Sequence, residues 1–158
     1  MGLARAEAGE LAAAERLPRD LAQLSDLIVR LQRGLFVVGA ELASNPDAWD
    51  RLRDGTTRVD EPMLVAVEAD LAALEGLIEM PREFIVPGAS RLSAALELAR
   101  TILRRAERRA VSLRRDGRVA GPWLVPYLNR VADLLWVMAR AAEQGEQRAS
   151  ITARVRPE

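Results

Sequence analysis

Apolar residues recur every three or four positions along most of the chain. At about 100° per residue, that spacing gathers them on one side of a helix. The first such stretch is 2–16, where Leu3, Ala6, Leu11 and Ala14 are separated by charges. Pro18 breaks it and suits the first turn of the next helix. That helix is expected over 17–44, with Leu21, Leu24, Ile28, Leu31, Leu35, Val38 and Leu42 inward. Gly39 costs about 1 kcal/mol against Ala inside a helix, so it is expected to permit a close helix contact. A connection rich in Asp, Asn, Gly and Thr occupies 45–60, with Trp49 either over the core edge or exposed. Pro62 starts a third helix, 63–80, with Leu64, Val67, Leu71, Leu74 and Ile78 inward. Glu68, Asp70, Glu75 and Glu79 read as solvated faces, because nothing pairs them at a site-like spacing.

The stretch 84–109, FIVPGASRLSAALELARTILRRAERR, is the expected organising element. Pro87 and Gly88 break any preceding helix, and Ser90 is a candidate N-cap. The helix that follows runs to about Arg114–Gly117. Leu92, Ala95, Leu96, Ala99, Ile102, Leu103, Ala106, Ala110 and Leu113 form its apolar side. Arg100, Arg104, Glu107 and Arg108 form an adjacent strip. Arg100 and Arg104 stack one above the other, which costs a few tenths of a kcal/mol unless something anionic shares them. Glu107 is placed to hold the Arg104 guanidinium. The pattern suits a phosphate clamp, but by itself such a strip is more often a solvated helix face with local ion pairs.

Gly121 and Pro122 mark the next connection. The last helix begins at Trp123 or Pro126 and runs to Glu143, with Leu128, Val131, Leu134, Leu135 and Met138 inward. Asn129, Asp133, Trp136 and Arg140 line up as a polar strip on it. The count is five helices in one all-α, bundle-like domain, 1–143, followed by a polar tail, 144–158, that is expected to fray.

Composition agrees with an all-α chain: 49% of the 158 residues are hydrophobic and only 4% aromatic. Acidic and basic residues balance at 23 each, which argues against a general nucleic-acid binder. There is no histidine and no cysteine. Disulfides, thiolate catalysis, His-containing triads and the usual metal ligands are therefore excluded. No apolar run reaches transmembrane length, and the start, MGLARAEAGELAAAER, lacks a signal-peptide core, so the expectation is a cytoplasmic protein with no membrane partner. GxGxxG, Walker, HExxH and EF-hand patterns are absent.

FIVPGAS (84–90), LARTILRRAERRAVSL (98–113) and YLNRVADLLWVMAR (127–140), in that order and spacing, resemble the signature blocks of the PduO-type ATP:cob(I)alamin adenosyltransferases. LIVRLQRGLFVVGAELA (27–43) resembles a further helix of that family. The resemblance implies a five-helix bundle of the cobalamin adenosyltransferase type. It also implies a homotrimer with active sites between subunits, and transfer of the adenosyl group of ATP to the cobalt of reduced cobalamin with release of triphosphate and help from Mg²⁺. Such chemistry needs no general base, since the corrinoid is itself the nucleophile; the protein positions the partners and neutralises the leaving group. By the same resemblance, Arg104 contacts the ATP phosphates, Glu107 orients Arg104, and Asn129 hydrogen-bonds the nucleotide. Phe84 lies next to the corrin and helps exclude its lower axial base. Arg100 belongs to the ATP site and pairs across the subunit interface with an aspartate. No residue is expected to ligate a resident metal.

The resemblance has gaps. The family begins with a block like TKTGDxGxT that wraps the phosphates, whereas this chain starts MGLARA, where a second family block ends. Ala89 replaces a common Gly, and Ala132 replaces a common Ser. The expectation is a start placed too late or a fragment of a longer enzyme. The alternative is a true short homologue, catalytically impaired, that acts as a cobalamin carrier or oligomeric interaction module. An earlier corrinoid, such as cobyrinic acid diamide, stays open as the substrate.

Overall fold

The computed structural model describes residues 1–13, 23–149 and 151–153. Within them lie five α-helices: α1 (Gly2–Ala13), α2 (Leu24–Ala43), α3 (Glu61–Glu75), α4 (Arg91–Arg115) and α5 (Leu124–Gly145). A 3-10 turn, Pro46–Arg51, sits between α2 and α3. Two short strands, β1 (Ile85–Val86) and β2 (Ile151–Thr152), pair antiparallel. The all-α bundle expected from the periodicity is what forms. Pro18, Leu21 and the end of the first predicted helix lie outside the described residues.

The bundle is organised around α5, and α4 is its principal neighbour. Tyr127, Leu128, Val131, Leu134, Leu135 and Met138 are buried on α5, and so are Ala132, Ala139, Ala141 and Ala142. A helix buried nearly all round is a core helix. It packs on α4 and α3, and touches α2; α1 lies against α2 and α4. Four buried alanines bring these neighbours close without leaving voids.

Several local expectations need correcting. In α1 the buried residues are Ala4, Glu7, Ala8 and Leu11; Leu3 and Ala6 face outward. The buried stripe of α1 therefore runs through Ala4, Ala8 and Leu11, and Leu3 lies off it. Leu42 is exposed at the end of α2, and Ile102 and Ala106 are exposed on α4. The third helix stops at Glu75, so Ile78 and Met80 reach the core edge from a turn. Its start is sharp: Asp60 accepts from the Met63 N–H at 3.0 Å and Pro62 occupies the first turn, an N-cap with proline just inside.

The glycine of close approach is Gly34, and Gly39 is exposed with open space around it. A Cβ on Gly34 would overlap the Tyr127 hydroxyl. The contact lets α5 lay Tyr127 against the bare α2 backbone. Trp49 is half-buried and donates its indole N–H to the Ser44 carbonyl at 3.3 Å. The described part of the polar tail is engaged: Ile85 pairs with Thr152, Val86 with Ile151, and the Ala153 N–H donates to the Phe84 carbonyl at 2.7 Å.

Candidate functional site

The site is built at the start and middle of α4, where it meets α5. Ser90 caps α4 as expected. Its hydroxyl accepts from the Ser93 N–H at 3.2 Å, and the Ser93 hydroxyl accepts from the Ser90 N–H at 3.0 Å, a capping box that satisfies both donors. Gly88, two residues earlier, takes φ +100°, a conformation that a side chain disfavours. These two features fix where the preceding loop enters the helix, and so where Phe84 is held.

Arg104, Glu107 and Asn129 come together. Arg104 Nη1 donates to Glu107 Oε2 at 2.6 Å, and Asn129 Nδ2 donates to Glu107 Oε1 at 3.0 Å. Glu107 is buried, while Arg104 and Asn129 are half-exposed. Each carboxylate oxygen is therefore used, and the guanidinium keeps its remaining N–H groups free to meet an anion from outside. Asn129 lies inside α5 and is no helix cap.

One turn nearer the start of α4, Arg100 and Phe84 line an open pocket of about 830 Å³. Trp136, Val137, Asp133 and Pro87 contribute to its wall. Phe84 is 87% exposed, so it is no core residue. Its ring stands in solvent because the backbone beneath it is pinned by the β1–β2 pairing. An exposed aromatic beside a half-apolar pocket suits a flat, bulky ligand that covers both. Arg100 Nη1 lies 3.4 Å from Glu97 Oε2, so each of the stacked arginines has its own carboxylate. Asp133 also takes an ion pair from Arg130 at 3.2 Å, and Arg130 reaches Glu68 at 3.0 Å. Glu68 and Asp70 are thus tied to arginines, Asp70 to Arg30 at 2.8 Å.

Besides Glu107, the buried charges among the described residues are Glu7, Glu41, Glu97, Arg140 and Glu143, and of these only Arg140 has a place in the sequence pattern. Glu41 accepts from the Val59 N–H and the Gly121 N–H, both at 2.8 Å, and clips two loops to α2. Arg140 is 1% exposed, so the polar strip expected on α5 turns inward at its end. It pairs with Glu143 and Glu97. Burial pulls its guanidinium below the usual arginine range, and the two carboxylates oppose that pull. The signal available was a pair of charges, Arg140 and Glu143, set in an almost unbroken apolar run. A charge there has no solvent face to use and must be paired. Among the described residues, no group of three or more His, Cys, Asp or Glu is arranged to hold a metal ion, and no helix is long and apolar enough to cross a membrane.

Comparison with known proteins shows the family and the fold. A family model described as cobalamin adenosyltransferase matches residues 1–142. A corrinoid adenosyltransferase of Citrobacter freundii is 36% identical over 135 residues, covering 77% of this chain and 67% of the relative. One of Mycobacterium bovis is 38% identical over 128 residues, covering 76% and 62%. The match thus spans only about two thirds of the relatives' length. Among solved structures, a variant PduO-type ATP:corrinoid adenosyltransferase from Lactobacillus reuteri, complexed with cobalamin and ATP, is similar with a TM-score of 0.74 at 28% identity. That likeness covers 97% of this chain and 85% of that one. With a matching fold, a family model over nearly all of its length and relatives above one-third identity, this chain belongs to the cobalamin adenosyltransferase family.

Proposed function

We propose that this protein transfers the 5′-deoxyadenosyl group of ATP to the cobalt of a reduced corrinoid, cob(I)alamin, and releases triphosphate. The electron pair on cobalt(I) forms the bond to C5′. The C5′–O bond breaks, and the departing triphosphate takes its electrons. No proton need be removed, which suits a chain without histidine. The observation that carries the reading is the convergence at Glu107. This one buried carboxylate aims Arg104 and Asn129 outward together, one helical turn from the pocket of Phe84 and Arg100.

In this reading Arg104 meets the ATP phosphates and stabilises the charge that grows on them. Asn129 hydrogen-bonds the nucleotide. Phe84 lies against the corrin and crowds out its lower axial base. Arg100 stands between the two substrates and faces a neighbouring subunit. Mg²⁺ enters on the triphosphate as part of that substrate, and no step is assigned to it. The exposed Leu98 and Ile102 on the outer face of α4 support an assembly of subunits, which we take to be a homotrimer.

The test is adenosylation of chemically reduced cobalamin with Mg-ATP, followed by the visible spectrum. The expected result is the adenosylcobalamin spectrum from the unaltered protein, with strong loss in Arg104→Ala and in Phe84→Ala. Cobalamin retained without turnover, and ATP binding indifferent to Arg104→Ala, would overturn the proposal in favour of a carrier.

A further inference from the structure

Beneath the Phe84 pocket runs a continuous chain of charges that the proposed reaction does not use directly. Arg140 is its centre. Its Nη2 lies 3.1 Å from Glu143 Oε1 and 3.3 Å from Glu97 Oε1. Glu143 Oε1 accepts in turn from the Ala89 N–H at 3.4 Å. The other oxygen of Glu97 lies 3.4 Å from Arg100 Nη1. Trp136, a wall of the pocket, covers the Arg140 guanidinium at 5.7 Å from its ring centroid, within cation–π reach.

Stability alone does not account for the arrangement. Replacing a buried ion cluster with apolar side chains of similar volume is often neutral or stabilising. Two N–H groups of Arg140, Nε and Nη1, find no hydrogen-bond partner among the described residues, which is a further cost. What the cluster does provide is a link. Ala89 belongs to the loop that carries Phe84, and Arg100 belongs to α4; Phe84 and Arg100 both line the pocket. Arg140 reaches the loop through one carboxylate and Arg100 through the other, from a helix that is itself buried in the core.

We propose that Arg140 is a positioning residue that sets the Phe84 loop and Arg100 relative to one another, through Glu143 and Glu97. The kinetic consequence rests on the corrinoid reading above; the mechanical one does not. Lysine keeps the charge but lacks the planar fork, so Arg140→Lys loosens the link while keeping a cation beside Glu97 and Glu143.

The experiment compares Arg140→Lys with Ile28→Val, a core substitution away from the pocket, at matched loss of Tm. Amide exchange by mass spectrometry is read over residues 82–90. The expected result is exchange about tenfold faster in Arg140→Lys than in the matched control. In turnover of reduced cobalamin, Phe84→Ala is expected to cost less in the Arg140→Lys background than in the unaltered protein, since coupled sites are not additive. Exchange over 82–90 equal to the control would overturn the proposal, as would penalties that simply multiply. If the unaltered protein does not turn over at all, the corrinoid reading falls, and the exchange comparison still decides whether Arg140 holds the loop.

Discussion

Asn129 on α5 donates to Glu107 on α4 at 3.0 Å, across the seam between the two helices. The bond occupies one oxygen of a buried carboxylate whose other oxygen holds Arg104 at 2.6 Å. The two groups expected to meet the nucleotide are therefore not independent. Each is aimed by the same side chain, and that side chain is fixed by the packing of α4 on α5.

Glu107→Gln follows from this. The glutamine keeps the shape but loses the charge, and its amide cannot accept from both partners at once. Hydrogen bonds to charged groups contribute roughly 1.5–3 kcal/mol. We expect Mg-ATP affinity to fall about tenfold or more, with both Arg104 and Asn129 still in place. Calorimetric titration with Mg-ATP checks it; affinity equal to that of the unaltered protein would show that Glu107 orients nothing the nucleotide needs.

The glycines of α2 make a paired prediction about packing. Gly34→Ala puts a methyl group into the Tyr127 hydroxyl. Overpacking of this kind costs about 1–3 kcal/mol. Gly39→Ala meets nothing within 4 Å and sits at an exposed helical position, where alanine gains about 1 kcal/mol over glycine. Thermal melts should therefore move in opposite directions. Tyr127→Phe should recover part of the Gly34→Ala loss, since the hydroxyl is the nearest obstacle.

These glycines also show what could be read from the chain. Ser90 as a cap, the long uninterrupted α4 and the Arg104–Glu107 pair all depend on spacings of three or four residues, and such spacings are visible in one dimension. Which glycine faces a neighbour depends on how α5 is rotated against α2, and no periodicity in α2 encodes that. The apolar run around Arg140 and Glu143 tells that they must be paired, but not that one partner is Glu97 on α4, because that depends on how α4 and α5 pack. The Phe84 support was hidden for another reason. Strands of two residues, Ile85–Val86 and Ile151–Thr152, have no period to detect, and their partner lies at the far end of the chain.

Glu41 is a structural carboxylate, and its removal should show that. Both of its oxygens accept buried backbone N–H groups, from Val59 and Gly121. Glu41→Ala leaves both donors unpaired, at about 1–3 kcal/mol each. Glu41→Gln turns an amide donor toward one of them and should lose about half as much. Urea denaturation measures the sum. Amide exchange at Val59 and Gly121 locates it; protection unchanged at both would show that the two loops are held by other means.

Tyr127 makes the alkaline behaviour of this protein unusually simple. It is the only tyrosine, and the chain has no lysine, histidine or cysteine. Burial pushes its hydroxyl up from an ordinary value of 10 to about 12. Between these values the unfolded chain releases the proton while the folded chain still keeps it. The native state then binds more protons than the unfolded state, so stability falls as pH rises. The full contribution is present below pH 10 and is lost progressively through about pH 12, with about 2–3 kcal/mol at stake. Urea midpoints measured from pH 8 to 11.5 should be level up to about 10 and then decline. Tyr127→Phe should remove the decline, because arginine stays charged throughout this range. Absorbance near the phenolate band reports on the same single group. A transition centred at the ordinary tyrosine value in the folded protein would mean that the hydroxyl is not sealed between α2 and α5, and the close approach at Gly34 would fail with it.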